Sequence, residues 1–391
     1  VILYGKGSSF ERGKAMIDWG VMRKEFPVTE NYIYFNHAGV SPLSKRVVEA
    51  VRGYLAAISR CGTAREASTQ FAKTIADTRA KVARLINAEV DEIAFVKNTT
   101  QGILVAANGI DWREGDNLVT ANVEFPANVY PWLNLARRGV RTRFVQEREA
   151  RIPVEDIERM IDHKTRAVAI SFVEFASGFR NDLEAIGQIC QDKGIFFIVD
   201  AIQGLGALDI DVKKCKIHIM SSDGHKWLMG PEGAGCFYCS KEVLDGIIPN
   251  NVGWNSVINA SAYLDYDLAL RPDAQRFEEG SLNVMGIYGL GAAVSLILEI
   301  GIQNIQERVL ALTDLLIEKL KEDGYQIVSS LIPGERSGIV CFRSRRYSSA
   351  ELCRRLIDNR IIVSDRARSV RVSPHFYNSE EEIQRMMEVL P

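Results

Sequence analysis

From about residue 70 to residue 240, short apolar runs alternate with stretches of helical spacing. The runs are "EIAFV", "NLVTA", "TRFVQ", "AVAISFV", "FFIVDA", "IHIMSS" and "GCFYC", each of strand length and bounded by turn residues. Between them, "GILVAANGI", "VYPWLNLARRG" and "DLEAIGQICQDKG" repeat apolar positions at helical intervals. Such alternation predicts an α/β fold, with a mostly parallel seven-stranded sheet between helices and ligands at the carboxyl ends of the strands. Beyond residue 285 the pattern changes to a long helical region, then "YQIVSS", "SGIVCFRS", the helix "SSAELCRRLIDNR", "IIVSD", "SVRVSPHF" and a last helix. This predicts a smaller α/β domain of antiparallel strands. With no repeat or low-complexity linker to mark a boundary, the expected division is 1–40 as an N-terminal extension packing with the small domain, 41–290 as the large domain and 291–391 as the small one.

A length of 391 residues agrees with roughly two domains. The 48 basic and 50 acidic side chains nearly cancel, leaving a net charge of −2, so no broad field favours nucleic acid or an anionic membrane. The longest apolar stretches fall short of the ~20 residues that a spanning helix needs. The N-terminal "VILYGKGSSFERGKAM" has no secretory pattern, and Met16 or Met22 is an expected alternative start. Seven scattered cysteines suggest a reducing, cytoplasmic setting rather than a disulfide scaffold. Cys236 and Cys239 form a C-x-x-C, but in a strand an offset of three points them to opposite faces, and no nearby pair completes a metal site.

Three strand ends carry candidate chemistry. Asp200 follows "IFFIV" and is either a cap or a partner for a cationic ligand group. Asn98, Thr99 and Thr100 open a helix after "EIAFV", where they either cap it or seat an anion on its N-terminus. Lys226 stands between His225 and Trp227 after "IHIMSSDG". It is a surface charge or, if desolvated, an amine nucleophile able to form a Schiff base. One ligand that offers a phosphate, a cationic ring nitrogen and an aldehyde is pyridoxal phosphate.

The ordered motifs "NTTQGI", "EFPANVYPW", "VDAIQGLGALDIDV", "SSDGHKWLMGPEGAG", "RFEEGSLNVMGIYGLGAA" and "RVSPHFYN" resemble the class V aminotransferase family. These are fold-type I pyridoxal phosphate enzymes, among them cysteine desulfurases and isopenicillin N epimerase-like proteins. The resemblance runs from about residue 30 to the end. It implies that Lys226 is the Schiff-base lysine, Asp200 the partner of the ring nitrogen and Gln203 a neighbour of the ring hydroxyl. It also implies phosphate contacts from Thr100 and His225, with Thr99 beside them, and a homodimer in which Ser281 reaches the partner's cofactor. Arg371 matches the arginine that holds the substrate carboxylate, and His37 and Trp254 are expected near the substrate.

The departures from that pattern bear on the reaction. Phe125 stands where the desulfurases have a ring-stacking histidine that moves protons. "IIVSDRARSVRVS" contains no cysteine where they carry their nucleophile, and Cys353 lies in a helical pattern instead. Asp223 replaces a phosphate-binding serine of some relatives, and Phe175 an asparagine near the ring hydroxyl. The expected activity is therefore amino-acid transamination with Lys226 as the proton carrier. A carbon–sulfur lyase, or an epimerase using His37 or Tyr130 as a second acid, comes next. A nucleotide-binding reading without catalysis finds no support, because "GLGALD" does not follow the first strand and no phosphate-binding G-x-x-x-x-G-K-[ST] occurs.

Overall fold

The computed structural model describes residues 17–391. In chain order its strands are β1 (Ile33–Tyr34), β2 (Ile93–Val96), β3 (Asn117–Ala121), β4 (Arg141–Val145), β5 (Thr165–Ser171), β6 (Phe196–Asp200), β7 (Ile219–Asp223), β8 (Gly235–Cys239), β9 (Gln326–Ile327), β10 (Val340–Arg343), β11 (Ile361–Ile362), β12 (Ser364–Arg366) and β13 (Ser369–Val372). Strands β2 to β8 form one seven-stranded sheet in the order β2-β8-β7-β6-β5-β3-β4. Only β8 runs against its two neighbours. The seven apolar runs of the sequence are these seven strands.

Their apolar character is continuous because both faces of the sheet are covered. Val168, Ile170, Phe197 and Val199 join one hydrophobic cluster, while Ala167, Ala169 and Ile198, which alternate with them, join another. The C-x-x-C pair divides in the same way: Cys236 packs in the first cluster and Cys239 in the second. The second face is closed by the helix Thr99–Gly109, which approaches β7 so tightly that a Cβ on Gly102 would lie 2.2 Å from Ser221 Oγ. In the sheet register Ser171 faces Asp200 and Asp200 faces Ser221, so β5 and β6 end level and β7 runs two residues further, to Asp223.

The helical region after residue 284 is two helices, Val284–Ile300 and Ile302–Glu322. They meet at 82° about Gly301, whose φ of +89° suits glycine. The first packs on the long helices Lys45–Cys61 and Arg65–Leu85, and the second on the last helix, Glu380–Val389. The change of direction thus falls after the expected boundary at residue 290. The small sheet, β12-β13-β10-β9, is antiparallel and has its own core. Of the expected N-terminal extension, residues 1–16 lie outside the described residues. From Trp19 onward it packs on Phe376, Tyr377 and Glu382, and β1 pairs with β11.

One buried ion pair ties β2 to the body of the fold. Arg79 meets both carboxylate oxygens of Glu278, at 2.7 and 3.1 Å, and donates to the Ile93 carbonyl, while the Phe95 N–H donates to Glu278. Both side chains are buried, so removing one partner strands the other's charge. Glu278→Ala should cost about 3–5 kcal/mol, read as a lower urea midpoint. The double replacement of Arg79 and Glu278 by Met should cost clearly less than that single change.

Candidate active site

A cavity of about 350 Å³ opens at the carboxyl ends of β2, β3, β5, β6 and β7 and is closed on one side by β12 and β13. Lys226, Asp200, Gln203, Thr99, Thr100, His225, Phe125 and Arg371, all singled out in the sequence, line it. Lys226 is only 8% exposed. Burial lowers its ammonium pKa to about 8; the charge of Asp200 opposes that shift and Arg371 adds to it. The amine is therefore a buried group whose free form is within reach of near-neutral pH, not a surface charge. Its loop is held from both sides: the His225 carbonyl accepts from the Ser41 N–H, and Gly206, at φ +104°, lies so close that a Cβ would meet the Trp227 carbonyl at 2.3 Å.

Asp200 is buried, and one of its oxygens accepts from the Ile202 N–H at 3.0 Å. The other, Oδ2, has no partner among the described residues. Burial raises its pKa to about 6. A buried carboxylate oxygen with no donor, at the wall of a cavity, calls for a ligand N–H. The helix Thr99–Gly109 supplies the opposite demand, since its first-turn N–H groups have no acceptor within the helix. Asn98 caps it by accepting from Gln101, and Thr99 Oγ1 accepts from the Asp223 N–H at 3.0 Å. Asn98 is the cap, and Thr99 and Thr100 line the cavity.

Asp223 lines the same cavity as that helix end. Its Oδ1 accepts from the Gly224 N–H at 2.7 Å, and its Oδ2 lies 2.9 Å from His225 Nδ1. The aspartate is thus placed against His225 at this end of the cavity. Gln203 is fixed by the protein at both ends of its amide, donating to the Ala38 carbonyl and accepting from Trp227 Nε1. Arg371 is buried; its Nε donates to Ser364 Oγ at 3.1 Å and its Nη1 to the Phe175 carbonyl at 2.9 Å. Burial lowers its pKa to about 10, which leaves it charged at neutral pH. The Nη1–Nη2 edge keeps three free N–H groups, enough for a bidentate carboxylate.

Several expected residues are elsewhere. His37 is fully buried behind the cavity, with Nδ1 on the Ser373 carbonyl and Nε2 on the Tyr377 hydroxyl, both at 2.7 Å. Burial and nearby His375 hold it neutral. Neither ring nitrogen is free for a substrate, because the imidazole is spent joining the extension to β13. Tyr130 is exposed and lines a different hollow with Phe144. Trp254 is exposed beside Tyr263, and Ser281 lines a separate cavity with Gln101 and Glu279, so neither reaches this chain's own Lys226. No cysteine lines the Lys226 cavity. Cys353 is buried in the small-domain core, and Cys341, opposite Arg371 on β10, is pushed up to about 12 by burial.

Sequence reading missed three charged residues here. Glu124 and Glu174 follow β3 and β5 and are both buried. Glu124 accepts from the N–H and hydroxyl of Ser171, at 2.6 and 2.5 Å, and from Asn128; Glu174 accepts from Asn181. Desolvation raises Glu124 to about 7, and desolvation together with Glu124 pushes Glu174 well up. The third is Arg366, on the β12 side of the cavity. A carboxylate soon after each strand end was the available signal for the two glutamates.

A family model described as Aminotransferase class-V matches residues 33–386. The chain is 32% identical over 395 residues to a protein of Methanothermobacter thermautotrophicus named Probable cysteine desulfurase, covering 94% of this chain and 96% of that one. It is 27% identical over 369 residues to Uncharacterized aminotransferase YcbU of Bacillus subtilis, covering 94% and 95%. Among solved structures it superposes on a mutant of C-DES with glycine covalently linked to the PLP cofactor, with a TM-score of 0.86, 23% identity, and coverage of 94% of this chain and 98% of that one. The chain belongs to the class V aminotransferase family of pyridoxal phosphate enzymes. Its site fits that cofactor: the free Asp200 oxygen suits a protonated ring nitrogen, the helix end suits a phosphate, and the desolvated Lys226 suits an aldehyde.

The amine's pKa is open to a direct check. In trace acetylation of the cofactor-free protein, Lys226 should reach half its maximal reactivity near pH 8, and surface lysines only near about 10. The charge of Asp200 raises this pKa, so Asp200→Asn should move the midpoint lower. Arg371 depresses it, so Arg371→Leu should move the midpoint higher.

Proposed function

We propose that the protein is an aminotransferase acting at Cα of an amino acid, with Lys226 as its one proton carrier. The observation that carries this reading is the wall of the cavity around the lysine. Phe125 has its ring centroid 5.4 Å from Nζ, with the Phe175 ring 5.2 Å beyond it, and neither ring can give or take a proton. His37 and Tyr130, the second acids that epimerisation needs, lie outside the cavity.

Each residue then has a defined task. The free edge of Arg371 receives the substrate carboxylate and fixes the orientation of Cα. The Thr99 and Thr100 N–H groups, with His225, would hold the phosphate, and Asp200 would keep the ring nitrogen protonated. When bound, the cofactor supplies an electron sink for the pair left at Cα. Lys226 would hold the cofactor through its amine, and the freed amine would carry the proton to and from the substrate, a transfer a single flexible amine can make. The exposed apolar run around Leu264, Tyr266 and Leu268 suits an association of two copies. In that dimer Ser281 and Trp254 serve the partner's site.

A second reading is carbon–sulfur bond cleavage, favoured by the relatives named cysteine desulfurase. It needs the same lysine. Without a thiol in the cavity, however, sulfur would have to leave on the product and not on the enzyme.

Offering the cofactor-loaded enzyme a panel of L-amino acids distinguishes the two. Transamination gives keto acid with loss of the yellow aldehyde form, restored by a second keto acid. The lyase gives sulfide or pyruvate with the aldehyde form retained. Arg371→Leu should raise KM for any productive amino acid by about 30- to 100-fold, from the loss of a charge-assisted pair.

A further inference from the structure

The small-domain wall of the cavity carries more positive charge than one carboxylate requires. Arg366 and Arg371 both line it. Neither forms an ion pair with a carboxylate among the described residues; the Arg366 guanidinium donates only to the carbonyl of Asp365, its chain neighbour. Arg371 and Arg366 depress the Lys226 ammonium, and Arg366 depresses Arg371, so the cations act on one another across the same space. The carboxylates that share the cavity are engaged elsewhere. Asp223 faces His225, and Asp200 offers its free oxygen to the ring nitrogen.

The strand register fixes how the two arginines stand. In the antiparallel pair β12–β13, Ser364 is opposite Arg371 and Arg366 is opposite Ser369. Opposed residues share a face, and so do residues two apart, so Arg366 and Arg371 are diagonal neighbours on one face. Their Cα atoms are therefore about 7–8 Å apart. On that face Arg343 donates to Ser369 Oγ and to the Ala367 carbonyl, bracing the hairpin with a third cation. The turn joining the strands is only Ala367–Arg368, at φ +49° and +61°. Such a left-handed pair is usual for Asn-Gly, and side chains other than glycine hold it at a cost of about 1–3 kcal/mol each. A tight turn built from unfavourable residues keeps Arg366 in register with Arg371.

We infer that the substrate is an amino acid with a second acidic group on its side chain, and that Arg366 receives that group while Arg371 holds the α-carboxylate. This deepens the reading above, in which Arg371 takes the substrate carboxylate. Arg366 acts as a specificity residue: it touches the distal acid and takes no part in the proton transfer.

The test is calorimetric binding of unreactive acids to the cofactor-loaded enzyme, followed by the amino-acid panel. Succinate or glutarate should bind at least about tenfold more tightly than butyrate, equivalent to ~1.4 kcal/mol. Arg366→Gln should remove that advantage while leaving butyrate binding unchanged, and Arg366→Lys should restore part of it. In turnover, Arg366→Gln should raise KM for acidic amino acids alone. Equal affinity for the mono- and dicarboxylates, or an advantage that survives Arg366→Gln, overturns the inference. If instead no amino acid alters the bound cofactor's absorption, the function proposed above fails, while the binding series still decides the role of Arg366.

Discussion

An amine and a carboxylate held out of water in one cavity, without neutralising each other, are the constraint on which this site depends. Lys226 and Asp200 sense each other's charge, yet Asp200 Oδ2 is left without a donor and the lysine pKa falls to about 8. A direct ion pair would have satisfied both groups and made the amine inert. Keeping them apart requires rigid support. The adjoining ends of β5, β6 and β7 provide it, with the tight packing of Gly102 on Ser221 and of Gly206 on the Trp227 carbonyl. The energy of burying two polar groups is then available to a ligand that meets both.

Behind Asp200 the electrostatics continue in Glu124 and Glu174, which are linked through Ser171 and Asn181. Each is raised by burial, and Glu174 also by Glu124. Two neighbouring carboxyl groups that both favour the proton-bound form limit the negative charge collected beside Asp200. That leaves the ionised form of Asp200 less repelled.

The small domain is part of the site, not an appendage to it. Arg371 donates to the Phe175 carbonyl on the large-domain side, and Ser373 and Tyr377 bind His37 on the N-terminal segment. The histidine that looked like a substrate ligand is thus a brace between the extension and β13. It has a structural counterpart in His375, whose Nε2 meets the Trp227 carbonyl at 3.0 Å. The lysine loop is therefore gripped from the small domain as well as from the sheet.

The sheet was legible in the sequence because a strand covered on both faces is apolar along its whole length, and seven such runs are hard to mistake. Lys226, Asp200, Thr99 and Thr100 were legible because each lies at the end of one of those runs or within four residues after it, where a parallel sheet presents its ligands. The Cys236–Cys239 pair was legible because strand geometry alone separates its side chains. By contrast, the break at Gly301 sits in a pattern whose helical period continues on both sides, so only packing against two different cores reveals the turn. His37, Glu124, Glu174 and Arg366 were decided by tertiary structure. Whether a titratable side chain faces a cavity, a carbonyl or another carboxylate depends on segments far away in the chain, as with Asp223. That residue could be read from sequence only as a misplaced charge beside a phosphate seat; in the fold its Oδ1 is held by the Gly224 N–H and its Oδ2 lies beside His225.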